Sequence, residues 1–129
     1  MQFKHPHLAN EYEKLLHPRT RELLNALTKW SAEQGLPAPL ATCIVRNPND
    51  PLEGGKFGWH QAKTAVDLRC SHYSSDQQKA VVQWLEQMCQ PRKEWELITK
   101  VHGTGPHYHV AYRDFRWSAA LIKSKENKP

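Results

Sequence analysis

Two segments carry residues of the right type and spacing for metal-assisted hydrolysis. His60 and Asp67 stand seven positions apart in Trp59-His60-Gln61-Ala62-Lys63-Thr64-Ala65-Val66-Asp67-Leu68, and His107-Tyr108-His109-Val110 follows about forty residues later. In a strand, residues two apart share a face, so His107 and His109 point the same way. Two imidazoles and one carboxylate complete the protein ligands of a catalytic zinc and leave a fourth position for water. Zinc so held keeps net positive charge, polarises a carbonyl and brings water toward a pKa of ~7. Which of the two later histidines pairs with His60 is left open by spacing alone.

These residues need elements to hold them. Thr64 to Leu68 is rich in strand formers, which sets Ala65 and Asp67 on one face and Val66 and Leu68 on the other. A carboxylate against an apolar strand needs a partner, and a metal is one. Upstream, Leu8 to Leu16 reads as a short helix stopped at His17-Pro18, and Pro18 suits the first turn of a second helix. Leu23, Leu24, Leu27 and Trp30 form its buried stripe, with Gly35 as C-cap and Pro37 beyond. Leu40 to Val45 reads as a buried strand ending at Arg46, followed by a turn-rich loop from Asn47 to Gly58 that suits a substrate lip. Ser75-Asp76-Gln77-Gln78 resembles a capping box opening a helix with Val81, Leu85 and Met88 inward. Glu94 to Val101 alternates as a strand, and Gly103-Thr104-Gly105-Pro106 turns into the strand of His107 and His109. The expected fold is α+β: a small, mainly antiparallel sheet with flanking helices.

At 129 residues the chain is one domain by size, with a short basic tail from about residue 122. Its 39% hydrophobic content and lack of any bilayer-length apolar run set aside disorder and membrane spanning. The net charge of +5 is scattered over the chain and reads as a solvated surface; nucleic acid, an anionic wall polymer or a membrane surface could each exploit it, so charge alone decides nothing, and no nucleic-acid partner is expected. Met1 to His7 lacks the apolar core of a secretory signal. Cys43, Cys70 and Cys89 show no metal spacing and read as reduced thiols in or near the core. His5, His7, His17 and His72 lie in polar contexts and call for no role.

With these residues in view, a resemblance emerges. His60-Gln-Ala-Lys-Thr-Ala-Val-Asp67-Leu is similar to the His-x-x-Gly-x-Ala-x-Asp signature of zinc D-Ala-D-Ala carboxypeptidases, whose relatives include VanX-type dipeptidases, phage endolysins, murein endopeptidases and the hedgehog domain. His107-Tyr108-His109 resembles the His-x-His of the murein endopeptidase branch, and Thr42-Cys43-Ile44-Val45-Arg46 resembles the strand ending in a substrate-facing arginine. The likeness runs from about residue 15 to 117 in matching order. It implies a hedgehog/D-Ala-D-Ala-peptidase-like fold, one zinc held by His60, Asp67 and His109, and Arg46 on a substrate carboxylate or the oxyanion. The chain departs from the signature at Gly58, where Ser is usual; at Lys63, in place of Gly; and at Pro106, where many members carry an acidic base.

The implied activity is hydrolysis of a peptide bond in bacterial peptidoglycan, as carboxypeptidase or endopeptidase, by a monomer. Wall specificity comes from the resemblance alone. His107 is the candidate general base, because an imidazole exchanges protons near neutral pH; His102 comes next, then Glu94 and Glu96. The expected setting is synthesis in the cytoplasm and release to the wall by a phage-type route. Two rivals remain. One is a non-catalytic zinc-binding module with the same ligands. The other is a DNA nickase using His-hydrophobic-His, although it leaves His60 and Asp67 without a role.

Overall fold

The computed structural model describes residues 1–45, 59–60, 63–100 and 107–117. The N-terminal pair Gln2–Phe3 forms strand β1. Helix α1, Pro6–Lys14, follows, with Pro6 in the first turn, where no intrahelical donor is needed. Helix α2, Pro18–Glu33, repeats that device, and the His17 side chain caps it by accepting the Arg19 backbone N–H. It ends one residue before Gln34, with Gly35 at a φ of +68°, the left-handed turn that glycine adopts without a Cβ penalty.

Strands β2, Leu40–Cys43, and β3, Ala65–Arg69, lead to helix α3, Ser75–Met88. The capping box there is Ser74 with Gln77, one residue earlier than the sequence suggests: the Ser74 hydroxyl accepts from Gln77 N–H and the Gln77 side chain accepts from Ser74 N–H. A 3-10 turn at Arg92–Glu94 precedes β4, Trp95–Ile98, and β5 is His107–Tyr112.

The sheet order is β1-β2-β3-β5-β4. The three pairs among β2, β3, β5 and β4 are antiparallel, as expected, but β1 joins β2 in parallel, so the sheet is mixed. Two paired residues show no periodicity, which is why β1 is invisible to a reading based on alternation.

One face of the sheet meets the helices. Val66 and Leu68 of β3, Tyr108 and Val110 of β5 and Trp95 and Leu97 of β4 pack with Leu23, Leu24 and Leu27 of α2 and Val81 and Leu85 of α3. Trp30 and Trp84 stack with ring centroids 5.6 Å apart at the edge of this core. Met88, expected inward, is 47% exposed, and Cys89 at the helix end is the buried residue instead. The opposite face carries Asp67, His107 and His109, as the period of two requires. No helix among the described residues is long and apolar enough to cross a membrane.

Helix α3 is held by its buried stripe more than by its cap. Leu85→Ala should cost ~2–5 kcal/mol as an incompletely refilled cavity, whereas Ser74→Ala should cost ~0.5–2 kcal/mol. Urea denaturation of the two variants measures both, and an equal or larger loss for Ser74→Ala would overturn this ranking.

Candidate metal centre

Strand pairing assembles the site. Asp67 on β3 lies opposite His109 on β5 and Cys43 on β2, so three potential ligands stand in one row across the sheet. His60 comes from the turn before β3. That turn is tied down by backbone bonds from Lys63 N–H to the His60 carbonyl and from Thr64 N–H to the Trp59 carbonyl. Helix α2 braces it from behind: His17 N–H donates to the Lys63 carbonyl at 2.8 Å, and the buried Thr20 hydroxyl donates to the Thr64 carbonyl at 2.6 Å.

The turn demands an unusual backbone at Lys63, whose φ is 65°. This left-handed conformation costs a side-chain-bearing residue ~1–2 kcal/mol, and it falls where the resembled signature carries glycine. Lys63 thus adopts a backbone conformation that glycine favours, at the position where the resembled signature has glycine.

Asp67 Oδ1 is the centre of the cluster. His60 Nε2 lies 3.1 Å from it and His109 Nδ1 3.0 Å. The two rings meet edge to face, centroids 5.2 Å apart. Both histidines are buried, His60 at 5% and His109 at 8% exposure. Each ring's other nitrogen is also engaged. His60 Nδ1 is 2.8 Å from the Ile44 carbonyl, which can only accept, so Nδ1 carries a proton. His109 Nε2 is 2.7 Å from Glu96 Oε1. The contact is a charge contact and not a well-formed hydrogen bond.

This arrangement leaves little freedom. If His60 were neutral, the lone pair on Nε2 would face a carboxylate oxygen. His109 lies between two carboxylates. The cluster is relieved by two protons, making both rings imidazolium, or by one divalent cation among Nε2 of His60, Nδ1 of His109 and Asp67. In the second case Ile44 and Glu96 become the outer partners that fix ring orientation, as metal-bound histidines usually require.

The electrostatics follow the same logic. Burial opposes a charge on His60, but the hydrogen bond and charge of Asp67 outweigh it and push the pKa up to about 10. His109 is likewise raised: burial works against it, and Asp67 and Glu96 overcome that. Asp67 itself is held far below the usual carboxylate range, its burial outweighed by the two histidines. Contact with His109 lowers Glu96, and the Trp59 indole assists.

Of the sequence-predicted residues, His60 and His109 both meet Asp67, while the group among the described residues whose ligand atoms lie close enough for one metal ion joins His60 and Asp67 with Cys43 and not with His109. His107 reaches the same carboxylate from the neighbouring row, with Nε2 3.9 Å from Asp67 Oδ2. Arg46 and His102 lie outside the described residues, as do the 47–58 loop and the basic tail. Glu96, ranked low as a base, is instead a buttress of His109. His17, expected to have no role, is buried and bridges the α2 cap to Asp114 at 2.9 Å, and His72 meets the Ala38 carbonyl at 3.1 Å. Polar neighbours in sequence say nothing about burial in the fold.

Sequence reasoning also missed Cys43. Cys43, His60 and Asp67 form a group whose potential ligand atoms all lie within 4.8 Å of one another and which could hold a metal ion. Strict alternation would put Cys43 on the same face as Ala41, which is opposite Leu68 of the core. A bulge between Ala41 and Cys43 shifts the register and turns Cys43 to the Asp67 face. No local sequence signal marks it. All of Cys43, Cys70 and Cys89 are free thiols, as expected.

Two outcomes follow. Lys63→Gly relieves the left-handed strain but adds unfolded-chain entropy, for a net gain of roughly 0.5–1 kcal/mol; a lower denaturation midpoint would mean that the Lys63 side chain makes a stabilising contact. The second concerns pH in chelator-treated protein. A base with a raised folded pKa stabilises the fold fully below its unfolded value and loses that contribution as pH rises through the folded one. For His60 the window runs from 6.5 to about 10. The lowered Asp67 contributes throughout that window and fails only in acid. The Tm of metal-free protein should therefore fall between pH 7 and 10, and that of zinc-loaded protein should not fall in parallel. Parallel curves would sink this account of the cluster.

No protein-family model, curated protein or solved structure matches the chain.

Proposed function

We propose that the chain is a zinc metallopeptidase that hydrolyses a peptide bond in bacterial peptidoglycan, as carboxypeptidase or endopeptidase. One observation carries the metal: His60 and His109 each present one nitrogen to Asp67 Oδ1 while the other is anchored on an oxygen of Ile44 or Glu96. Two histidines and a carboxylate without a required thiolate suit a single zinc. Support for the family reading comes from the left-handed backbone at Lys63 and from the Asp67–His109 strand pairing. The corresponding fold assignment is hedgehog/D-Ala-D-Ala-peptidase-like.

When bound, zinc supplies Lewis acidity that polarises the scissile carbonyl and makes water nucleophilic near neutral pH. The remaining work falls to side chains. Asp67, His60 and His109 set the charge and position of the centre, and the Glu96 carboxylate faces the second nitrogen of the His109 ring. His107 Nε2, facing Asp67 Oδ2 and half-open to solvent, takes a proton from the attacking water and returns it to the leaving amine. Arg46 is assigned to the substrate carboxylate or the developing oxyanion. Trp59 and the 67%-exposed Phe115, ring centroids 5.4 Å apart, offer an apolar wall near Glu96 for the peptide. The substrate is a wall peptide, with no nucleic acid or membrane partner. The protein acts as a monomer, made in the cytoplasm and released by a phage-type route.

Elemental analysis should find about one zinc per chain by this ligand count, and purified peptidoglycan should yield new peptide termini by mass spectrometry only without chelator. His109→Ala should lose both zinc and activity. His107→Ala should keep zinc and lose ~10²–10⁴-fold in rate, as for a missing general acid–base. A fully active metal-free protein, or cleavage of DNA in place of wall peptides, would end the proposal; full activity in His107→Ala would move the base to another residue.

A further inference from the structure

The His60–Asp67–His109 reading leaves a fourth coordination position, and the fold places a thiol in the same cluster as two of these ligands. Cys43 Sγ is 3.7 Å from His60 Nδ1, and it lies within 4.8 Å of ligand atoms of both His60 and Asp67. Sulfur is not the principal partner of that ring nitrogen, because the Ile44 carbonyl is closer at 2.8 Å. Its placement comes from the bulge that turns Cys43 toward Asp67, with directly paired cross-strand Cβ atoms ~4.5–5.5 Å apart. Cys43 and His109 therefore flank Asp67 from opposite sides, on β2 and β5. Cys43 is half-buried and unbridged, whereas Cys70 and Cys89 are buried in the core.

Resting on the metal reading above, we propose that Cys43, which already lies in a metal-capable group with His60 and Asp67, becomes a fourth protein ligand once its side chain turns from the Nδ1 edge of His60 to the Nε2 edge, closing the resting site. On binding, the thiol gives its proton to solvent and an Sγ–metal bond forms, with no change in oxidation state. Four protein ligands are the pattern of a closed site, and catalysis needs one position open. Peptide and water therefore enter only when Cys43 withdraws. The geometry favours withdrawal by Cys43 over the others. It lies at the last residue of β2, beyond a bulge, while Asp67 and His109 sit within paired strands and His60 is anchored by Ile44. A thiolate also selects the metal: zinc and cobalt are kept, and magnesium, calcium and manganese are disfavoured.

The test uses cobalt(II) as a spectroscopic probe on the full metal-free chain. Wild type should show a near-ultraviolet thiolate-to-cobalt charge-transfer band together with intense four-coordinate visible bands. Cys43→Ser should lose the charge-transfer band, still bind one cobalt, and bind it more weakly by at least the roughly 10–100-fold that an outer partner's loss costs. A variant-free measurement accompanies it: zinc should slow iodoacetamide alkylation of Cys43 by tenfold or more, read by peptide mapping with Cys70 and Cys89 as internal references. Stoichiometric cobalt without a charge-transfer band, or alkylation of Cys43 indifferent to zinc, overturns the fourth ligand and leaves the three-ligand centre standing. Failure of wild type to bind cobalt or zinc at all overturns both.

Discussion

A carboxylate set into a sheet face must be compensated, and the rest of the site follows from how this chain compensates Asp67. Removing an ion from water costs several kcal/mol unless opposite charge and hydrogen bonds replace the solvent. Here the replacement comes from His60 and His109, both within about hydrogen-bond distance of one oxygen. Each histidine creates the same need at its second nitrogen, met by the Ile44 carbonyl on one side and Glu96 on the other. The result is a chain of polar contacts running from the end of β2 through β3 and β5 to β4. Its members cannot be changed singly without leaving a buried group unpaired.

That chain explains why the helices lie where they do. The core face needs only apolar volume, supplied by α2 and α3. The site face needs His60 presented from a turn, and a turn has no ladder of its own to stiffen it. Helix α2 supplies the stiffness through His17 and Thr20, whose bonds to the Lys63 and Thr64 carbonyls pin the chain on the C-terminal side of the left-handed residue. His17 completes a second brace by reaching Asp114 just beyond β5. The fold thus holds the turn from two directions, and the strain at Lys63 persists because its surroundings over-determine it.

The same geometry bears on what a metal would meet. Two protons or one divalent cation would satisfy the cluster equally in charge, so loading a metal would be an exchange of like charge. Cys43 adds a softer donor at the end of the row. The proposed competition between its sulfur and substrate would make access to the centre a property of one short strand end, with no change required in the core.

How much of this was legible in the chain depends on range. The alternation of Ala65 to Leu68 placed Asp67 on the face away from the core, and the His-x-His pattern put His107 and His109 on one face, because a strand's period of two is a local property. The helices, the Gly35 cap and the α+β class were likewise local, written in apolar spacing and in Pro and Gly placement. Pairings between distant segments were not. The parallel β1 rests on two residues, and Glu96 meets His109 only because β4 and β5 are neighbours. Cys43 faces Asp67 through a bulge, a register shift that depends on how two strands meet and leaves no mark on either sequence. His17 shows the same limit, since its burial comes from Trp117, Tyr112 and Asp114, about a hundred residues away. The sequence by itself determined which face the residues of an unbroken strand take, as for Asp67, His107 and His109; the tertiary structure decided where a bulge turns a side chain over and which side chains meet, because contact across strands depends on register and not on spacing along the chain.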